Sequence, residues 1–334
     1  MVNYNNGISA IYYATRVDPK TWADAGEIPI VSGTITKNAD SNLATSADIT
    51  IKESIGAEEW LRVYLIAEQN GAKERTPLFT GIVSSPSRSI KGNSETYKLD
   101  CYSVLKIADD ILLPLGWFAP ARTRGGELIK ILLSDLPCPV ELDEGSPNII
   151  SSFVAGDNDS KLSVAHEIAE AINWQIKVNG DGSVRICPKP LTIAGSFDNI
   201  ENDILETSLT DDRDIFSVPN VLRVTLRGSA ATARDDEPDS IYSTVNRGRE
   251  IWMQETAKLA AGESLGEYAT RRLKELQNPS RKLAYTRRFR PDVDVNDLVS
   301  IVYPKQNIGD VFRVKSQTIT LSHGAKVKEE AINE

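Results

Sequence analysis

Two stretches of this chain share one order of acidic residue, apolar strand, polar turn and second strand. In Trp60 to Ser84, WLRVYLIAEQNGAKERTPLFTGIVS, and again in Leu298 to Ser322, LVSIVYPKQNIGDVFRVKSQTITLS, an acidic residue (Glu59, Asp297) precedes an apolar strand. A polar turn with Asn-Gly or Asn-Ile-Gly follows, and a second strand opens at an aromatic residue, Phe79 or Phe312. Leu61, Val63 and Leu65 alternate with Arg62 and Tyr64, the period of two that lays one face of a strand on a core. Leu298-Val299 and Ile301-Val302-Tyr303 are apolar on both faces, which predicts a strand covered on both sides. After Phe312 and Val314 the apolar set moves from even to odd positions, Ile319 and Leu321. A slip of one residue turns every later side chain over, so the pattern predicts a bulge or sharp bend near Ser316-Gln317. The copies lie about 235 residues apart by number, beyond solenoid periods of ~20 to 50 residues. They read as two related β-domains in one chain, with chance look-alike hairpins as the alternative.

Alternation and turn residues place further strands at Ile8–Thr15, Ile28–Thr36, Ala47–Lys52, Trp60–Glu68, Leu78–Ser85 and Glu95–Tyr102. Asn70-Gly71 and Lys91-Gly92-Asn93 are hairpin turns between them, so residues 1–105 read as a small barrel or sandwich. The period changes at Ser103. Val104, Ile107, Ile111 and Leu105, Ala108, Leu112 fall at helical spacing behind Ser103 as N-cap, and Pro114 stops the run. Thr123 caps a second helix, Gly126 to Leu136, and a third runs from about Ser160 to Asn173. Trp174–Val178, the turn Asn179-Gly180-Asp181-Gly182 and Val184–Pro188 form a hairpin, making 106–203 a helical and mixed α+β middle domain. Glu201 to Asp214 reads as an exposed acidic crossing back to a β-part, 204–334, which opens with the strand Asn220 to Leu226. That part carries an inserted loop and helix at about 228–280: a mobile polar loop, Gly228 to Asp239, and a helix from Ser264 to Gln277 ended by Asn278-Pro279. Leu283 to Arg290 is a basic strand leading into the repeated hairpin.

Composition narrows the function. With 334 residues, 40% hydrophobic and 25% charged, the chain is an ordinary globular protein of two or three domains. Its opening lacks a basic start before an apolar core, and no run approaches the ~18 apolar residues of a membrane span, so it is expected in the cytosol where it is made. Cys101, Cys138 and Cys187 have no CxxC spacing and read as buried free thiols. A net charge of -9 argues against a general grip on nucleic acid and suits a surface that DNA passes without sticking.

No catalytic constellation emerges. His166 lies within the third helix and His323 in a Ser-His-Gly turn, with no HExxH, HxH or CxxC beside either. Asp109-Asp110, Asp211-Asp212 and Asp235-Asp236 are adjacent pairs in polar surroundings, unlike the separated carboxylates of glycoside chemistry. Arg124-Gly125-Gly126-Glu127 and Asn179 to Gly182 match neither GxxxxGK[ST] nor GxGxxG, and no GxSxG is present. No catalytic, cofactor-binding or metal residues are assigned, and no cofactor is expected. The basic clusters Arg271-Arg272, Arg281-Lys282 and Arg287-Arg288-Phe289-Arg290 are expected to form salt bridges across a subunit boundary rather than to contact nucleic acid.

The order of these parts carries a resemblance. A β-domain passes into helices at Cys101-Tyr102-Ser103-Val104-Leu105, and the chain returns through Ser217-Val218-Pro219-Asn220-Val221-Leu222-Arg223-Val224. It ends in Asn296-Asp297-Leu298-Val299-Ser300-Ile301, Gly309-Asp310-Val311-Phe312-Arg313-Val314 and Thr318-Ile319-Thr320-Leu321-Ser322-His323-Gly324. This layout resembles the baseplate hub proteins of contractile-tailed phages, prophages and phage-tail-like bacteriocins, the late control protein D type. The resemblance implies an α+β, mainly β fold with two related tube-type β-barrel domains and a helical/mixed α+β domain inserted between them. It implies a homotrimer whose six barrels form a pseudo-sixfold ring with a central channel, joining a hexameric tail tube to a trimeric spike. The implied partners are itself, tail tube or tube-initiator proteins, the central spike and other baseplate proteins. It implies no specific nucleic-acid binding, with DNA passing through the channel, and no membrane insertion. The implied location is a virion tail baseplate or tail-like particle, assembled in the host bacterial cytoplasm. Some members carry fused lysozyme or peptidase domains; no stretch of this reading is left over for one, so no enzyme activity is expected. The alternatives are a cell-wall glycan-degrading tail enzyme using carboxylates such as Glu167 or Asp212, and a carbohydrate- or receptor-binding tail module. The scattered tryptophans Trp22, Trp60, Trp117, Trp174 and Trp252 suit cores and interfaces better than one binding face.

Overall fold

The computed structural model describes residues 2–198, 210–212, 215–226, 228–257, 263–277, 281–304 and 307–333. The protein is α+β and mainly β. It divides into two compact units, Met1–Leu209 with Ala284–Ile332 and Glu334, and Thr210–Leu283 with Asn333.

The first unit opens with β1 (Ser9–Val17), β2 (Asp24–Asn38), β3 (Thr45–Ile51), β4 (Trp60–Gln69), β5 (Ala72–Val83), β6 (Ser87–Lys91) and β7 (Ser94–Ser103). Six of them close on themselves in the order β1-β4-β5-β7-β3-β2, with β2 returning to β1 and every ladder antiparallel. Closure leaves no free edge in the ring. Inside it Ala14, Ile28, Ile35, Ile49, Leu61, Val63, Leu65, Phe79, Val83 and Leu99 form one apolar core. The β4–β5 turn is set by Asn70 and Gly71, whose φ angles of 50° and 80° give the double left-handed geometry that matches strand twist. Strand β5 begins at Ala72, not at the aromatic residue; Phe79 sits inside it opposite Val63.

After β7 come α1 (Lys106–Asp109), β8 (Phe118–Ala119), α2 (Gly125–Leu132), β9 (Val140–Leu142), β10 (Phe153–Val154), α3 (Lys161–Ala171), β11 (Trp174–Val178) and β12 (Val184–Pro188). The helix expected to reach Pro114 is a single turn. Leu113 N–H donates to Asp159 O and Lys161 N–H to Ile111 O, so a longer-range backbone pairing takes the residues that would have continued it. Helix α2 ends at Leu132, short of Leu136, and Thr123 does not cap it: the Thr123 hydroxyl donates to Pro120 O at 2.7 Å, while Ser146 Oγ accepts from Gly126 N–H at 2.6 Å. Ser160 caps α3, accepting from Ser163 N–H at 3.0 Å. These elements share an apolar core with Val17, Trp60 and Val104. At β13 (Ile193–Asp198) the chain already enters the next sheet region.

The second unit holds β14 (Thr210–Asp212), β15 (Val221–Leu226), β16 (Ser229–Arg234), α4 (Thr244–Arg247), β17 (Trp252–Thr256) and α5 (Leu265–Leu276). Three strands pair as β16-β15-β17, antiparallel then parallel. Helix α5, started by a Ser264–Glu267 capping box, packs Tyr268, Ala269 and Leu273 against Leu222, Val224 and Ala233. Part of the expected mobile loop at 228–239 is therefore strand β16. Asp235, which follows it, is buried and accepts from Glu237 N–H, Ser240 Oγ and Gln277 Nε2. The acidic crossing Glu201 to Asp214, apart from Thr210–Asp212, and the stop at Asn278-Pro279 lie outside the described residues.

The chain finishes with β18 (Lys282–Arg288), β19 (Leu298–Tyr303), β20 (Ile308–Thr320) and β21 (Lys326–Asn333). Neighbour order here is β13-β19-β20-β21-β18, the same chain rank as β1-β4-β5-β7-β3. One ladder departs from the parallel: β13 runs parallel to β19, whereas β1 runs antiparallel to β4. Phe312 lies inside β20 opposite Val299, as Phe79 lies opposite Val63. At Ser316-Gln317, where the pattern predicts a bulge or sharp bend, β20 is one strand, and its ladders with β19 and β2 show no register shift. Instead β20 changes partner. Leu298–Tyr303 pairs with it as far as Arg313, and from Ser316 it pairs with β2. Even residues Phe312 and Val314 are buried beside β19, and odd residues Ile319 and Leu321 enter the core of the first ring. The two sides of one extended strand thus serve two different cores, with no slip required.

Candidate functional site

The residues singled out for chemistry do not converge. His166 Nε2 donates to Asn42 O at 2.8 Å, and burial pushes its imidazole below the usual range, as befits a structural histidine. Glu167 and Asp212 are exposed, not set in apolar pockets. Asp109 and Asp110 both pair with Lys106, and Asp236 pairs with Arg234. All three cysteines are buried free thiols, and burial pushes Cys101 and Cys138 up to about 12. Among the described residues no three His, Cys, Asp or Glu side chains gather as a metal set, and no helix is long and apolar enough to cross a membrane.

The glycine-rich turns have packing roles. A Cβ on Gly180 would lie 2.0 Å from Pro77 O, and one on Gly182 2.7 Å from Trp22, so the β11–β12 turn presses onto the first ring through glycine. Thr80 Oγ donates to Gly180 O at 2.8 Å, and Arg62 Nη2 and Trp22 Nε1 donate to Asp181 O at 3.0 and 2.9 Å. Arg62 also pairs with Asp24, which accepts from Tyr64 Oη at 2.6 Å. Gly125 and Gly126 play the same part for α2, where a Cβ would meet Ile172 at 2.9 Å and Leu142 at 2.6 Å.

Arginines of two of the basic clusters have partners within the chain. Arg271 pairs with Glu263 and Glu275, Arg272 with Glu255 and Glu275, and Arg290 with Asp292. Arg287 is buried on Glu329, and Arg288 donates to Asn5 O at 2.7 Å.

What does converge is a junction of three chain regions. Lys37 on β2 and Lys177 on β11 reach Asp294 at 2.9 and 3.5 Å, ahead of β19. Burial would raise the Asp294 carboxyl, but the two ammonium groups and the Val295 N–H overcome it and hold it at about 2. Asn296 Nδ2 donates to Gln175 Oε1 at 2.8 Å, and Asp297 accepts from Asp294 N–H at 2.8 Å; burial pushes the Asp297 carboxyl up. A cavity of about 380 Å³ opens beside them, lined among others by Asn38, His166, Gln175, Lys177 and Lys315. The junction contains no nucleophile paired with a base. Its chemistry is that of a charged rivet joining the first ring, the middle elements and the hairpin β19–β20.

The chain matches no protein-family model and no curated protein. Its likeness is to solved structures. The 43 kDa tail protein of prophage MuSo2 from Shewanella oneidensis is 12% identical, with 97% of this chain and 98% of that one covered and a TM-score of 0.69. The tail protein from Neisseria meningitidis MC58 is 14% identical, with 98% and 97% covered and a TM-score of 0.70. The lidded Francisella PdpA-VgrG complex is 8% identical, with 99% of this chain and 53% of that one covered and a TM-score of 0.60. Over its whole length the chain is similar in fold to phage tail proteins, and the resemblance drawn from the order of its parts holds at that level.

Proposed function

We propose that this protein is the structural hub of a phage tail baseplate or tail-like injection machine. Three copies form a pseudo-sixfold ring around a central channel and join a hexameric tail tube to a trimeric spike. The observation carrying this reading is the strand order β1-β4-β5-β7-β3 repeated as β13-β19-β20-β21-β18 in a chain whose fold follows phage tail proteins from end to end. We read the two sets as related tube-type β-barrels, with the helical and mixed elements between them. A chain that presents similar barrels twice lets three subunits match a sixfold partner on one side and a threefold one on the other. The role is non-enzymatic, the partners are itself, the tube or tube-initiator, the spike and other baseplate proteins, and the location is the tail particle.

The test is the mass and shape of the assembly. Analytical ultracentrifugation should find a species at three times 36.7 kDa, and negative-stain images of it should show a ring with six similar lobes. A protein that stays monomeric, alone and when mixed with tube and spike proteins, overturns the reading.

A further inference from the structure

Two strand edges of the first unit lack a partner among the described residues, and they carry opposite charge. Strand β6 pairs with β7 alone, and its five residues are all exposed, Ile90 by 63% of its surface. From Ser84 to Ser94 the chain contains Arg88 and Lys91 and no carboxylate. Glu95 holds Arg88 across the ladder at 2.6 and 3.0 Å, while Lys91 is exposed at the strand's end. Strand β9 ends the sheet β11-β12-β9 and pairs with β12 alone. Val140 to Glu144, VELDE, contains three carboxylates and no cation. Asp143 is taken by Arg185 at 2.8 and 3.0 Å, which leaves Glu141 and Glu144 exposed.

A free edge offers a row of backbone N–H and C=O groups that a strand from another chain can complete, and charged side chains on a short edge restrict which strand can do so. The β6 ladder has no register shift, and Ser87 to Lys91 contains no proline. Charge decides which edges can meet. Pairing β6 with β6 of a second copy brings Arg88 and Lys91 against their own kind, and pairing β9 with β9 does the same for Glu141; like charges set opposite each other across strands are destabilising. The mixed pairing places cations against carboxylates.

We infer that β6 of one copy adds to the β9 edge of the next, with Lys91 facing Glu141 and Arg88 shared between Glu95 of its own chain and Glu144 of the next. Two different surfaces then meet head to tail, the arrangement that closes into a ring when the rotation permits. This contact rests on the ring assembly proposed above and names the edges that build it.

The experiment is a charge swap read by sedimentation. Arg88→Glu with Lys91→Glu, and separately Glu141→Lys with Glu144→Lys, should each weaken trimer formation by at least about tenfold, and the chain carrying all four changes should recover to within about threefold of wild type. If the wild type is trimeric and either double variant associates as tightly, or if the fourfold variant is no tighter than the doubles, this contact is overturned while the ring stands. If the wild type is monomeric, alone and when mixed with tube and spike proteins, both are overturned. Circular dichroism identifies any variant that fails to fold. In that event a cysteine pair decides: Lys91→Cys with Glu141→Cys should give a disulfide-linked trimer under oxidation, the native thiols being buried, and single-cysteine controls should not. Monomer alone from the pair overturns the contact.

Discussion

Arg287 and Glu329 form a two-pronged ion pair, Nε to Oε2 at 2.8 Å and Nη2 to Oε1 at 2.5 Å, with 1% and 0% of their side-chain surfaces exposed. Gln317 Nε2 donates to the same carboxylate at 2.7 Å, and the guanidinium lies 4.8 Å from the centre of the Phe197 ring. Both charges have left water, so each depends on the other: the pair offsets its own desolvation, and an orphan of either sign does not.

Glu329→Ala or Arg287→Ala should therefore cost ~3 to 5 kcal/mol in urea unfolding. Arg287→Met combined with Glu329→Leu should cost less than either single change, because no charge is left buried and Gln317 keeps its 3.0 Å bond to Val293 O. A double variant less stable than both singles would contradict this account of the pair.

Asp294 makes stability depend on acid. Its folded carboxyl lies at about 2 against an ordinary 3.8, so the unfolded chain takes up the proton first. The contribution of the Lys37–Asp294–Lys177 junction is present in full above about pH 4 and is lost as pH falls toward 2. At neutral pH it is worth ~2 kcal/mol. Asp294→Asn should lower stability by roughly that amount at pH 7, and its unfolding curve should converge on wild type near pH 2 to 3. A constant difference across that window would show that the charge is not what stabilises the junction.

Gly180→Ala puts a methyl group 2.0 Å from the backbone oxygen of Pro77, which no rotamer relieves. The β11–β12 turn must lift from β5, loosening the bonds from Thr80 and Arg62, at a cost of ~1 to 3 kcal/mol. Gly266 in α5 has nothing within 4 Å, so Gly266→Ala should stabilise by up to ~1 kcal/mol through helix propensity. Opposite signs in thermal unfolding are expected, and equal shifts would remove the packing explanation.

Local chemistry made much of the β-structure legible. The alternation in Trp60 to Leu65 and the Asn70-Gly71 turn specify their hairpin through side-chain period and φ preference, both properties of a few adjacent residues. The third helix, read from about Ser160 to Asn173, was legible for the same reason. Strand β16 could not: Ser-Ala-Ala-Thr-Ala-Arg has almost no hydrophobic signal, and it is a strand because β15 offers it a ladder. The helical spacing after Ser103 was real but lost to a backbone pairing with residues 159–161. The basic clusters showed their charge in the sequence; their intrachain partners lie 2 to 283 positions away, and those at the longer separations are invisible to any local pattern.

By itself the sequence determined the hairpin of Trp60 to Val83 and its Asn70-Gly71 turn, because period and turn chemistry act over a handful of neighbouring residues. Only the tertiary structure decided that β1 and β2 close the first ring, that β13 lies parallel to β19, and that β20 buries its even residues beside β19 and its odd ones in the core of the first ring. Those outcomes depend on which distant strand completes each ladder and which core lies on each side of it, and that choice is made by pairing and burial across the whole fold.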